Sequence, residues 1–478
     1  MKTPTKPFAV IAVALLLGAC DNNDAPGFTP VTPPGPTAEV QVQFIHAVAN
    51  APTVTIGNPV ATFASGLAFK ESTGFAPDNV GSLTVQIDAD VPGGQVTVVP
   101  LTSVPLVADT TYSVLAIGEV GSMNNPIAPL VIANPDTPVT AGNVRVEVVH
   151  ASPNAGNVDI YVTGPSDSLA PGMAIAGGDT PFGANSGPLE VPAGDYRIRV
   201  TAPMSQTPVF DSGTVALPAG ADLLVVAVDN TVAGRRAVDA PPITLLVADG
   251  TGTFEILDAN TPAEVRVVHA VSDVNLVDVY VNDPMAMNTP AIEDLDYPRV
   301  IPTPVAAGPD SYLALTAGTN NVLVTVADDP GIVAIPATDL DLAAGTQYTV
   351  YASGTLAGGI APYITVDDDR SIATEAKTRI VHLSPAAGLV DIYVTAPGAD
   401  IVPLDPTFED VDFGDETGYV SLAGGTYDVT VTLANMKDPA IGPATITLSD
   451  GSVYTAVARD PDVDIAMDPF GLILLDDF

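Results

Sequence analysis

Four times along this chain of 478 residues an alternating apolar run ends in a histidine, and these four runs hold every histidine present. They read QVQFIHAVANAPTVTIG (41–57), NVRVEVVHASPNAGNVDIYV (143–162), EVRVVHAVSDVNLVDVYV (264–281) and TRIVHLSPAAGLVDIYV (378–394). The histidines are 104, 119 and 113 positions apart, which is the length of an ordinary domain and too long a total for one core. Nine residues after the histidine stands Asp159, Asp278 or Asp391, and eleven after it Tyr161, Tyr280 or Tyr393. The first copy departs from this, with Thr55 and Gly57 at those positions.

Alternation assigns each strand two faces. Val144, Val146, Val148 and His150 share one face, with Arg145, Glu147 and Val149 opposite. The same split puts His46 with Val40, Val42 and Phe44, His269 with Val265 and Val267, and His382 with Ile380. In each copy, then, the histidine closes the more apolar face. A metal or acid–base role needs a second converging polar group, and each copy has one histidine and no cysteine. The expected role is structural: a buried ring donating one N–H to a loop carbonyl.

In the following strand Val158, Ile160 and Val162 share a face, as do Val277, Val279 and Val281, and Val390, Ile392 and Val394; the Asp and Tyr face away. The intervening loop is short enough for a hairpin within one sheet. That arrangement would place His and Asp on opposite sides of the sheet. The aspartates are expected to cap backbone N–H groups, with ligand orientation as the competing role. The tyrosines are expected to pack across strands on the same outer face.

Further strands begin at AGDYRIRV (193–200), AGTNNVLVTV (317–326) and GGTYDVTV (424–431), and again at PAGADLLVVAV (218–228), AAGTQYTVYA (343–352) and SDGSVYTAVA (449–458). With about seven short strands per copy and turn signals between them, the fold class expected is all-β: tandem immunoglobulin-like antiparallel β-sandwiches. The boundaries expected are 38–142 for a divergent first sandwich, then 143–262, 263–376 and 377–478.

The H-A-S-P…G…V-D-[IV]-Y-V run, followed by A-G-x-Y and A-G-x-x-Y-T strands, resembles the bacterial domain family DUF4397. The resemblance covers 38–478, strongest in the second and fourth copies and weakest in the first. It implies an extracytoplasmic β domain and carries no catalytic residues.

The N-terminus has Lys2 and Lys6, an apolar run from Phe8 to Leu17, and then Leu17-Gly18-Ala19-Cys20. Ten apolar residues are too few to span a bilayer and suit a signal-peptide core. The ending resembles the lipobox of bacterial lipoproteins, which implies removal of 1–19 and acylation of Cys20. As Cys20 is the only cysteine, no disulfide is available to the mature domains. Residues 20–37 read as a Pro/Gly-rich tether. The expected location is the bacterial cell envelope, lipid-anchored and extracytoplasmic. Asp21 resembles the inner-membrane retention signal of enteric lipoproteins, and inner and outer membrane remain open alternatives.

Fifty-six acidic against 15 basic residues give a net charge of −41, which excludes nucleic acid and anionic headgroups as partners, since both need a basic surface. Calcium is the one cofactor the acids suggest. Its candidates are Asp460, Asp462 and Asp464, with Asp468 beyond them, and the run Asp367-Asp368-Asp369. Against an EF-hand loop starting at Asp460, position six is Ile465 and position twelve Gly471, so the turn glycine and the bidentate glutamate are both missing. The competing reading is an edge strand protected by charge.

No nucleophile elbow, zinc-protease helix, Walker loop or dinucleotide fingerprint is present. The chain therefore reads as a non-enzymatic, lipid-anchored envelope protein whose domains stack end to end as an acidic spacer, scaffold or adhesive surface. The alternative is an array of binding modules for envelope or extracellular protein or glycan partners, assisted by calcium.

Overall fold

The computed structural model describes residues 39–170, 173–301, 312–465 and 467–476. Cys20, the signal segment 1–19 and the tether 20–37 lie outside the described residues. Among the described residues there is no helix, and the strands form eight sheets, two per copy. The chain is a tandem array of immunoglobulin-like β-sandwiches.

In the second copy Asn143–His150 lies between Leu189–Pro192 and Asp222–Asp229, with Ile243–Ala248 and Thr253–Ile256 continuing that sheet. The facing sheet runs Ile175–Thr180, Val158–Thr163, Gly194–Thr201, Pro208–Leu217. Among the described residues the other copies repeat this order without a counterpart of Thr253–Ile256, and in the third copy Val300–Ile301 and Leu313–Leu315 share the edge position of Leu189–Pro192.

Two expectations are corrected. First, the strand ending in histidine pairs in parallel with a strand late in its copy, beginning at Thr110, Asp222, Gln347 or Val453, setting His46, His150, His269 and His382 opposite Ala116, Ala227, Ala352 and Ala458. The remaining ladders are antiparallel. Second, the first and second strands form no hairpin, because they belong to different sheets and the short loop between them is an arch across the sandwich. The reason is burial. Facing sheets bring Val144, Val146 and Val148 against Val158 and Ile160 in one core, whereas neighbours in one sheet would leave both apolar faces needing a further partner.

Tyr112, Tyr348 and Tyr454, near the start of the penultimate strand, accept the amide N–H five residues upstream at 2.8, 3.0 and 3.0 Å. Such a corner tyrosine ties the incoming loop to the strand. In the second copy Leu223 occupies the position, opposite Val146.

The outward faces of the histidine-bearing sheets are also buried. Ile45, Leu115, Ile117 and Ile132 of the first copy pack with Val149, Leu224, Val226 and Leu246 of the second. Likewise Val268 and Tyr351 of the third copy pack with Val381, Val457, Ile473 and Leu475 of the fourth. The sandwiches therefore join sheet face to sheet face in two pairs, first with second and third with fourth. This replaces the expected end-to-end stacking. Neighbours that present two apolar faces bury more surface by meeting broadside than by touching at their tips.

Candidate functional site

His46, His150 and His382 each clasp their arch, while Nε2 of His269 is buried without a hydrogen-bond partner. The ring is buried in all four copies. Nε2 lies 3.0, 2.6 and 2.7 Å from the carbonyl oxygen six residues on, at Pro52, Gly156 and Gly388. Nδ1 accepts the amide N–H two residues on, from Val48, Val271 and Ser384, at 3.2, 3.3 and 3.3 Å. An Nδ1 that accepts leaves the proton on Nε2, so in His46 and His382 the ring is the neutral tautomer with both nitrogens engaged. Burial holds the pKa of His46 and of His269 down at about 4, and lowers that of His150. A base whose lone pair already holds the backbone is unsuited to proton transfer at neutral pH.

The aspartates clamp strained backbone. Asp278 accepts the amides of Asp294 and Asp328 at 3.0 and 3.3 Å, and Asp391 those of Asp410 and Asn435 at 3.0 and 2.9 Å. Asp159 does the same for Asp179 and Met204. All six donors have left-handed backbone, with φ from 50° to 63°. One residue of each pair adjoins the bulge in the ladder on one edge of the second strand, and the other lies just beyond the end of the strand paired with its opposite edge. In the first copy the residue at the bulge is Gly66, at φ 64°. Glycine holds that conformation without steric cost, and the position of the clamping aspartate is Thr55. Thr53 and Thr55 instead donate to Asp90, both at 3.0 Å.

Tyr161, Tyr280 and Tyr393 lie on the same outer face and are buried. Lys437 covers Tyr393, donating to its hydroxyl at 2.8 Å and to Leu404 O at 2.6 Å. Arg199 closes the equivalent face of the second copy through Thr163 Oγ1 and Asp167 O, at 2.6 and 2.7 Å.

The proposed calcium ligands have other partners. Asp367 sits between Arg266 of the third copy and Arg379 of the fourth, at 3.2 and 2.6 Å, and also accepts Tyr312 Oη at 2.8 Å. Burial alone would raise its pKa, but the two guanidiniums hold it below the usual range. Arg266 reaches further to Asp476 at 2.5 Å. Asp368 pairs with Lys377 at 2.8 Å, and Asp369 with Arg235 and Arg236 of the second copy at 2.5 and 3.0 Å. The neighbouring Arg370 donates to Ala49 O and Ala51 O in the first copy's arch at 3.0 and 2.9 Å. The acidic run is thus a junction of all four copies, with side chains diverging to separate cations.

Asp460 points back into the fourth arch, accepting Ser384 Oγ and the Ala386 amide. Asp462 accepts the Asp464 amide at 2.8 Å, and Asp468 pairs with Arg459 at 2.7 Å. These acids stand between Val453–Arg459 and Gly471–Asp476 and belong to no strand. Among the described residues no three His, Cys, Asp or Glu side chains converge to hold a metal ion.

The residues missed from sequence are those three before each histidine: Gln43, Glu147, Arg266 and Arg379. All four are buried. Glu147 accepts from Asn134 of the first copy at 2.6 Å. Their signal was a polar residue two positions before Ile45, Val149, Val268 or Val381, on the strand face opposite the histidine.

The family described as Domain of unknown function (DUF4397) matches residues 40–161 and 263–393. Each matched segment runs from the first strand of an odd-numbered copy to the tyrosine of the second strand in the next copy. No protein with a curated description is a significant match. Among solved structures, a proposed cell adhesion protein of Bacteroides uniformis is 14% identical, covering 48% of this chain and 99% of its own, with a TM-score of 0.18. A second, from Bacteroides ovatus, is 13% identical over 48% of this chain and 96% of its own, with a TM-score of 0.17. Family 41 carbohydrate-binding modules from streptococcal virulence factors are 13% identical over 44% of this chain and 93% of theirs, with a TM-score of 0.13. Scores this low carry no argument.

Proposed function

The chain belongs to the DUF4397 family, and from that premise we propose that it is a non-catalytic, acidic scaffold of the bacterial envelope, held to a membrane through acyl chains on Cys20 and offering its loops to a protein or glycan partner. One observation carries the reading: the polar residues the repeat keeps, His46, His150, His269, His382, Asp159, Asp278 and Asp391, all bind the chain's own backbone. What recurs from copy to copy therefore builds a frame, and recognition falls to the loops, which differ between copies. The charge of −41 keeps such a frame soluble and away from anionic surfaces.

The test is fractionation of cells expressing the full chain or its Cys20→Ser variant, followed by an envelope pull-down with and without calcium. The expected result is membrane recovery of the parent, release of the variant, and capture of a partner that survives His150→Gln. Equal partition of both proteins would refute the anchor. A hydrolysed or modified product in place of a captured partner would refute the scaffold.

A further inference from the structure

We propose that the third sandwich is a receptor for an uncharged hydrocarbon group, an alkylarene or an alkyl chain of about ten carbons, held in a cavity inside its core. The cavity measures about 240 Å³, whereas those found in the first and fourth cores measure about 30 and 40 Å³. Val277, Val279 and Ile335 line it together with Val265, Leu340 and Leu342. Leu313, in its lining, is 36% exposed.

The other three copies show what is missing here. Two residues after the glycine that pairs with Leu106, Leu217, Leu342 or Leu448 stand Leu83, Tyr196, Asn320 and Tyr427 respectively. Tyr196 and Tyr427 lay their rings against the core and donate their hydroxyls to the carbonyl four residues back, at 2.7 and 2.9 Å. Asn320 makes the same bond, Nδ2 to Thr316 O at 2.9 Å, without a ring. Two interior positions further on, the second copy has the fully buried Phe210, paired with Val200, where the third has Ile335, paired with Val324, and the first and fourth have Val99 and Ile441. On the second strand Ile56, Ile160 and Ile392 correspond to Val279. Against the second copy the third core lacks a ring at Asn320, a ring at Ile335 and a methylene at Val279, and Leu340 and Leu295, which stand where that copy has Val215 and Thr180, line the space without filling it.

Its chemistry selects the occupant. Every lining side chain but Thr338 is apolar, and Thr338 Oγ1 already donates to Pro336 O at 2.7 Å. A cavity without free donors or acceptors holds water poorly, and apolar cavities of about 150 Å³ take up benzene. A charged headgroup would find no partner in the lining. The inference is independent of the scaffold reading, which stands or falls on Cys20 and the loops.

The test is titration of the full chain with n-butylbenzene, by calorimetry and thermal melting, in parallel with Ile335→Phe and Asn320→Tyr. The expected result is one site per chain and a raised melting temperature for the parent, with affinity at least tenfold weaker in both variants. Ile335→Phe copies a side chain the second sandwich already accommodates, so it keeps the comparison open if Asn320→Tyr fails to fold. Absence of binding by the parent at the solubility limit of the probe, or undiminished binding by a folded Ile335→Phe chain, would overturn the assignment.

Discussion

Left-handed backbone at a non-glycine residue costs about 1–2 kcal/mol and persists only where something holds it. Asp278 is what holds Asp294 and Asp328, and Gly66 shows the alternative, in which the strain is absent and the clamping carboxylate is absent with it. Asp278→Ala should destabilise the chain by about 2–4 kcal/mol, as two amides lose a charged acceptor, and Asp294→Gly in that background should restore about 1 kcal/mol. Hydrogen exchange checks this locally, since the amides of residues 294 and 328 should lose protection in the single variant. The histidines set a pH dependence. With folded pKa values near 4 for His46 and His269 against about 6.5 in the unfolded chain, the unfolded state binds more protons between these limits. Stability is therefore complete above about pH 6.5 and lost as pH falls toward 4, by up to roughly 1.4 kcal/mol per pH unit for each ring. Urea midpoints at pH 7, 5.5 and 4.5 should fall in that order, and more shallowly in His269→Gln.

At the scale of the strand, one polar position decides how a sheet meets its neighbour. Gln43 and Glu147 stand at the first seam, while at the second Arg266 and Arg379 enclose Asp367. A buried pair left without one partner costs about 3–5 kcal/mol, far more than a surface pair. Asp367→Asn should lower stability by about that amount in calorimetry. Asp296→Asn, which loosens an exposed 4.0 Å contact with Arg299, should change it by less than about 0.5 kcal/mol. The arches show a second coupling between elements. Where the histidine is followed by Ala-Ser or Leu-Ser, Asp229 or Asp460 closes the arch through that serine. Where it is followed by Ala-Val, the same position is Gly118 or Gly354, and a Cβ there would collide with the carbonyl oxygen of Pro126 or Gly359.

For the whole molecule these couplings alternate: first and third copies agree, as do second and fourth, and the family match likewise begins at residues 40 and 263. The structural period is a pair of sandwiches sharing a buried seam. A fragment 39–262 should be monomeric in sedimentation, whereas 39–142 alone, with Ile45, Leu115, Ile117 and Ile132 uncovered, should self-associate. Arg235, Arg236 and Arg370 then tie the two pairs together around the segment after Asp367.

The sequence alone determined the period, the all-β class and the parity of every repeated strand, because alternation of side chains is a local property that states which residues share a face. It therefore placed the four histidines at a core and the three aspartates on the far side of their strands. It could not say which sheet the second strand joined, since a short loop serves a hairpin or an arch equally well and only burial of both apolar faces chooses. Nor could it say what lay beyond the outer faces. Arg266 looks solvent-bound along the chain because the carboxylates that neutralise it, Asp367 and Asp476, stand 101 and 210 residues away, and only folding brings such charges together.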